Sequence, residues 1–128
     1  MHILGLGTDL VEVARIEQSI ARHGERFLRR VFTENEIAYC AAMKTPAPFY
    51  AARFAAKEAV AKALGTGLGA ACGWLDIEVR RRASGEPFVV LYDAAADTAQ
   101  RLGITTVLLS LSHTEHYATA QAIAVGAA

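Results

Sequence analysis

The sequence predicts an α+β fold: a small mixed domain in which antiparallel strands pack around an alanine-rich central helix. Three observations carry that expectation. "FYAARFAAKEAVAKAL" has small apolar residues on nearly every side, as a buried helix would. Leu75, Ile77 and Val79 alternate with Asp76, Glu78 and Arg80, the period of a half-buried strand. "TTVLLSLS" and "YATAQAIAV" read as two further strands joined by the short "HTEH". Helical and strand patterns interleave within 128 residues, so one domain spanning 1–128 is expected.

The elements follow in order. "HILGLGTDL" reads as a short strand near 2–9, with a helix after it and Asp9 and Glu12 spaced as a capping pair. Val13, Ile16 and Ile20 then recur at helical spacing until Gly24 stops the turn, and "ERFLRR" continues as a further helical piece. In "FTENEI", Thr33 and Glu36 form a capping box, and Phe32 and Ile37 have the spacing of a hydrophobic staple. That helix should reach about Ala42. Thr45–Pro48 is a proline-broken connection, and the central helix runs from about Phe49 to Leu64, ended by Gly65. After the strand "WLDIEVRR", "ASGEP" turns the chain into a second strand, "FVVLY". Asp93 then caps an alanine-rich helix closed by Gly103.

Composition narrows the function classes. Thirteen basic residues balance thirteen acidic ones, so no global field draws the protein to nucleic acid or an anionic membrane. Cys40 and Cys72 have neither disulfide nor metal spacing, which fits a reducing cytosol. With no apolar run of about 18 residues and no signal-peptide pattern, a cytoplasmic protein is expected. Alanine buries little area per residue, so association between subunits is expected to add to the core.

Within the central helix Glu58 and Lys62 share a face with Phe54, while Ala55, Ala59 and Ala63 mark a small-residue face for tight packing. Alone, Glu58 and Lys62 are an ordinary i,i+4 pair. Gly65, Gly67 and Gly69 do not form a phosphate loop, because they follow a helix rather than precede one. Ser112, His113 and His116 cluster where a strand ends. His113 and His116 lack a third metal partner, and Ser112, His113 and Glu115 lack a nucleophile elbow.

Taken jointly, "GLGTDLVEVARI", "VFTENEIAYC", "RFAAKEAVAKALGTG" and "LSLSHTEHYATAQAI" resemble the 4′-phosphopantetheinyl transferase family in its small bacterial type, over nearly the whole chain. The resemblance implies transfer of the 4′-phosphopantetheine arm of coenzyme A to a serine of an acyl carrier protein, leaving adenosine 3′,5′-bisphosphate. It implies that Asp9 and Glu58 hold Mg²⁺, with Mn²⁺ an alternative, and that Lys62 lies near the pyrophosphate. It places Arg53, Gly65, Thr66, Gly67, Ser112 and His113 around the nucleotide and its 3′-phosphate, and it implies a homotrimer with active sites between subunits. Carrier proteins of this kind are acidic, so the basic stretch with Arg15, Arg22, Arg26, Arg29 and Arg30 is the expected docking surface, with Phe27 or Ile20 as its apolar anchor. Glu58, acting directly or through a metal-bound water, is the expected base. A coenzyme A or nucleotide binding module without turnover is the alternative.

Overall fold

Alanine and glycine determine how closely the elements of this chain approach one another. In the computed structural model, which describes residues 1–127, the strands are β1 (His2–Glu12), β2 (Ile77–Arg81), β3 (Pro87–Leu91), β4 (Ile104–His113) and β5 (Tyr117–Gly126). The helices are α1 (Val13–His23), α2 (Glu25–Val31), α3 (Glu34–Ala41), α4 (Pro46–Ala63) and α5 (Asp93–Arg101). Antiparallel pairing gives a three-stranded sheet in the order β1-β5-β4 and a separate β2-β3 hairpin. This is the expected α+β class.

Helix α4 lies across one face of the larger sheet, and where β1 and β5 meet it that face is nearly devoid of side-chain bulk. Ala118, Ala120, Ala122 and Ala124 of β5 are buried, as are Ala55, Ala59 and Ala63 of α4. Opposite them on β1 stand Gly5 and Gly7, paired with Ala124 and Ala122. A Cβ on Gly5 would stand 1.8 Å from the Ala63 carbonyl oxygen, and one on Gly7 would stand 1.8 Å from that of Ala59. Backbone therefore meets backbone, a contact that glycine alone permits.

The opposite face of the sheet is uncovered. Leu6, Leu10, Leu108 and Tyr117 are all more than half exposed there. Leu6, Ile123 and Leu108 form one row across the three strands.

The α3 capping box is present, with Thr33 accepting from the Glu36 amide and Glu36 from the Thr33 amide. Several expected boundaries need correction. β1 runs on to Glu12 because β5 pairs with it as far as Tyr117, so Asp9 is a strand residue and caps no helix. Pro46 enters α4 at its first positions, where its missing N–H costs nothing, and the helix starts three residues before Phe49. Trp74–Asp76 forms a 3₁₀ turn, leaving Leu75 exposed rather than in β2. Asp93 is the first residue of α5 with φ 48°, and its side chain makes no cap bond.

The largest departure concerns charge. Lys57, for which the sequence reading assigned no place, is fully buried and pairs with Glu36 at 2.7 Å, while its Nζ donates to the carbonyls of Trp74 and Ile77. Glu36 also accepts from the Val79 amide. Burial pushes the Lys57 ammonium below the ordinary lysine range, and the Glu36 carboxylate partly restores it. Glu78 is buried as well, contrary to its place in the alternating pattern, and accepts from Thr33, Arg80 and Tyr92. These bonds hold its carboxyl below the usual range against the effect of burial.

Replacing Gly7 with alanine forces its new methyl into the Ala59 carbonyl. The expected loss is about 3 kcal/mol of unfolding free energy, read from urea denaturation. An unchanged midpoint would show that α4 can lift from the sheet without cost.

Candidate active site

From Tyr50 onward α4 is enclosed on every side but one. Tyr50, Ala51, Ala52, Arg53, Ala55, Ala56, Lys57, Ala59, Val60, Ala61 and Ala63 are buried, and Phe54, Glu58 and Lys62, four apart, form the stripe that reaches solvent. On β1, Asp9 points to the same side of the sheet as Gly7, two residues on, and so emerges beside the helix. Lys62 Nζ lies 3.3 Å from Asp9 Oδ1 and donates to the Thr8 carbonyl at 2.9 Å.

Asp9 and Glu58 line one groove of about 480 Å³. Burial raises the Glu58 carboxyl above its ordinary range, the nearby Asp9 charge raises it further, and Lys62 opposes both. The groove therefore presents two carboxylates from two elements far apart in sequence, with the Lys62 ammonium beside it on Asp9. Oxygen donors of this number suit a hard cation such as Mg²⁺, which keeps waters and substrate phosphates as its remaining ligands. Among the described residues there is no cluster of three or more protein ligands that would instead suggest a closed structural metal site.

The other expected residues divide into groups. Arg15, Arg22 and Phe27 line the same groove, together with Gln18, Ser19 and His23, which the sequence reading did not single out. Arg26 lies in an adjoining hollow with His23, Phe27 and Arg30. Ile20 faces a different groove, with Glu17, Pro46 and Tyr50, so of the two only Phe27 borders the carboxylates. Gly65 and Gly67 adopt φ values of 80° and 64° just past α4, and the amides of Thr66 and Gly67 both return to the Ala61 carbonyl. That turn follows Lys62 directly.

Arg53, Ser112 and His113 lie elsewhere. Arg53 is 2% exposed, with its guanidinium carbon 4.1 Å from the centre of the Tyr39 ring. It stands five residues before Glu58, about 140° round the helix from it. His113 packs edge-on against Phe49 near the start of α4, with centroids 4.6 Å apart. From Phe49 to Ala63 the helix rises about 21 Å. Ser112 pairs with Thr119, on the outer face of the sheet, opposite to the face from which Asp9 emerges. The expected residues thus fall into separate groups: Asp9, Glu58 and Lys62 along the later turns of α4, Arg53 and His113 along its earlier turns, and Ser112 on the outer face of the sheet.

The described helices include none long and apolar enough to cross a membrane. The family model for the 4′-phosphopantetheinyl transferase superfamily matches residues 5–122. The holo-[acyl-carrier-protein] synthase of Chlamydia pneumoniae is 50% identical over 125 residues, covering 98% of this chain and 99% of that protein. The crystal structure of the Neisseria meningitidis holo-[acyl-carrier-protein] synthase superposes with a TM-score of 0.90 at 35% identity, over 97% of this chain and 99% of that one. The Helicobacter pylori holo-[acyl-carrier-protein] synthase, solved in complex with coenzyme A, gives a TM-score of 0.84 at 30% identity, over 94% and 99% of the two chains.

Because Asp9 raises the Glu58 carboxyl and also holds Lys62, Asp9→Asn removes a repulsive charge and frees an attractive one. Both changes lower the pH at which Glu58 loses its proton. Carboxyl ¹³C NMR titration of the metal-free protein should show that downward move in Asp9→Asn and an upward one in Lys62→Ala. No response to either substitution would mean that the three side chains do not share one site.

Proposed function

The chain belongs to the 4′-phosphopantetheinyl transferase superfamily, and we propose that its Asp9, Glu58 and Lys62 carry the holo-[acyl-carrier-protein] synthase reaction. In that reaction the serine hydroxyl of an apo carrier attacks the phosphorus that bears the pantetheine arm. The bond from that phosphorus to the bridging oxygen breaks, and adenosine 3′,5′-bisphosphate leaves with the electron pair. The chemistry is phosphoryl transfer, so the protein's task is alignment and charge neutralisation rather than covalent catalysis. Its product, holo acyl carrier protein, serves fatty acid biosynthesis. The convergence of Asp9, Glu58 and Lys62 beside an arginine-lined groove is the observation that carries this assignment.

Asp9 and Glu58 would hold Mg²⁺ or Mn²⁺, which supplies Lewis-acid neutralisation of the pyrophosphate when bound. Lys62, released from Asp9, is long enough to reach a phosphate oxygen and to stabilise the charge that develops there. Glu58 takes the serine proton. Its raised carboxyl range brings it nearer to neutrality, as a general base requires.

The separation of the half-sites fits a homotrimer. Arg53 and His113 of one copy would meet Asp9, Glu58, Lys62 and the Gly65–Gly67 turn of the next, so that the nucleotide lies between subunits. The uncovered sheet face, with Leu6, Leu10, Leu108 and Tyr117, supplies an apolar surface for that association. Arg15, Arg22 and Arg26 would receive the acidic carrier, with Phe27 as anchor, next to the carboxylates where its serine must react. Nothing in this scheme calls for nucleic acid or a membrane, and the cytoplasm, where coenzyme A and carrier proteins meet, is the proposed location.

Mass spectrometry after incubation with apo carrier, coenzyme A and Mg²⁺ should show the carrier gaining the arm. Glu58→Gln should cut kcat by about a thousandfold or more, and chelation of the metal should abolish turnover. Coenzyme A binding without modification of any carrier would favour the binding module instead. Mixed assemblies of inactive Glu58→Gln and inactive Arg53→Gln chains should recover activity, because some interfaces then contain neither lesion. Failure to recover despite mixed assembly would sink the shared site. Arg15→Glu or Arg22→Glu should raise the carrier KM by about tenfold while changing the coenzyme A KM little; the reverse selectivity would overturn the docking assignment.

A further inference from the structure

Arg53 combines two properties that rarely coexist. It is almost fully enclosed, yet its Nε and Nη1 atoms are buried without a hydrogen-bond partner. A guanidinium keeps its charge in a protein, and unpaired donors out of reach of water are costly to maintain. The Tyr39 ring lies against its flat face at 4.1 Å, which compensates charge but leaves the N–H groups unsatisfied. A second guanidinium, that of Arg81, lies over the same ring at 5.6 Å. Tyr39 also meets Phe49 edge-on at 6.3 Å, and Phe49 meets His113. Among the described residues no carboxylate pairs with Arg53 or Arg81, whereas Arg80 and Arg82, on either side of Arg81, each have one. Arg81 spends one N–H on the Gly85 carbonyl, and neither guanidinium has an acid, so the two cations around this ring lack an anion.

We propose that Tyr39 and Arg81 complete, with Arg53, the recognition of a phosphomonoester, and that this pair sets the preference for coenzyme A over its form lacking the 3′-phosphate. The inference rests on the function proposed above and adds residues to it. Coenzyme A carries one terminal phosphate, on the ribose, with close to two negative charges at neutral pH. Each pyrophosphate phosphorus carries only one and is claimed by the half-site of Asp9, Glu58 and Lys62. Two guanidinium groups match the terminal group in charge and in bidentate geometry. Arg81 acts by direct contact. Tyr39 is a positioning residue: the face of its ring, and not its hydroxyl, holds the Arg53 guanidinium in place.

The experiment measures kcat and KM for coenzyme A and for dephospho-coenzyme A with apo carrier and Mg²⁺. The wild type should favour coenzyme A. Arg81→Gln should raise the coenzyme A KM by about tenfold, with a much smaller effect on the dephospho substrate, so that the loss falls on KM rather than kcat. Tyr39→Leu should do the same through Arg53, and Tyr39→Phe should restore discrimination because the ring is kept. If Tyr39→Leu fails to fold, Arg81→Gln, at an exposed position, decides the matter. A wild type that modifies no carrier overturns the function and this inference with it. A wild type that discriminates, with Arg81→Gln and Tyr39→Leu discriminating equally well, overturns the inference alone; so does a Tyr39→Phe variant as impaired as Tyr39→Leu.

Discussion

The contact between the backbone of β1 and the backbone of α4 is the constraint on which the rest of this molecule depends. At Gly5 and Gly7 the strand comes so near the carbonyls of Ala63 and Ala59 that no side chain can intervene. Asp9 is the next residue on that face of the strand, the first with a side chain, and it emerges where the helix surface turns toward solvent. A larger separation would leave Asp9 out of reach of Lys62, and the two carboxylates would no longer feel each other's charge. Close packing here is a positioning device for chemistry.

A tight contact alone would not fix which way α4 faces, since an alanine surface is smooth and offers few ridges. The buried Lys57–Glu36 pair supplies that information. Lys57 is bonded to α3 through Glu36 and to the backbone before β2 through the carbonyls of Trp74 and Ile77. Such a pair adds little net stability over an apolar replacement, but losing one partner strands a buried charge at a cost of about 3–5 kcal/mol. The arrangement therefore resists rotation of the helix strongly. With Lys57 locked inward, Glu58, next in the chain and about 100° further round, is held toward the groove.

Much of this was legible before any coordinates, and what was not has a physical reason. The capping box at Thr33 and Glu36 and the stop at Gly65 are local signals, set by bonds within a few residues, and both are in place. The shared face of Glu58 and Lys62 follows from helical periodicity. Asp9 was misassigned to a helix cap because its strand extends only by pairing with β5, more than a hundred residues away in the chain. Glu78 reads as a surface charge because periodicity marks which positions face inward on average and says nothing of a buried acid with several donors waiting. The surroundings of Arg53 are illegible for the same reason: Tyr39 comes from α3 and Arg81 from β2, and both guanidinium groups reach the Tyr39 ring only in the folded chain.

Helix α4 carries its charged groups in two directions, and that bears on how the proposed work is divided. Its later turns present Glu58 and Lys62 on the open stripe, while Arg53 on an earlier turn and His113 beside Phe49 face another direction. An extended substrate such as coenzyme A has a pyrophosphate that needs a cation and acids to hold it, and a terminal phosphate that needs only bases. Placing both sets on one face of one helix would bring Glu58 close to Arg53, where the two would neutralise each other and weaken both sites. Setting them about 140° apart keeps each charged for its own anion or metal. In the function proposed above, one chain does not close the site by itself, and a symmetric assembly would solve the problem with a single kind of subunit, the arginine-bearing part of one helix being offered to the acid-bearing part of the next.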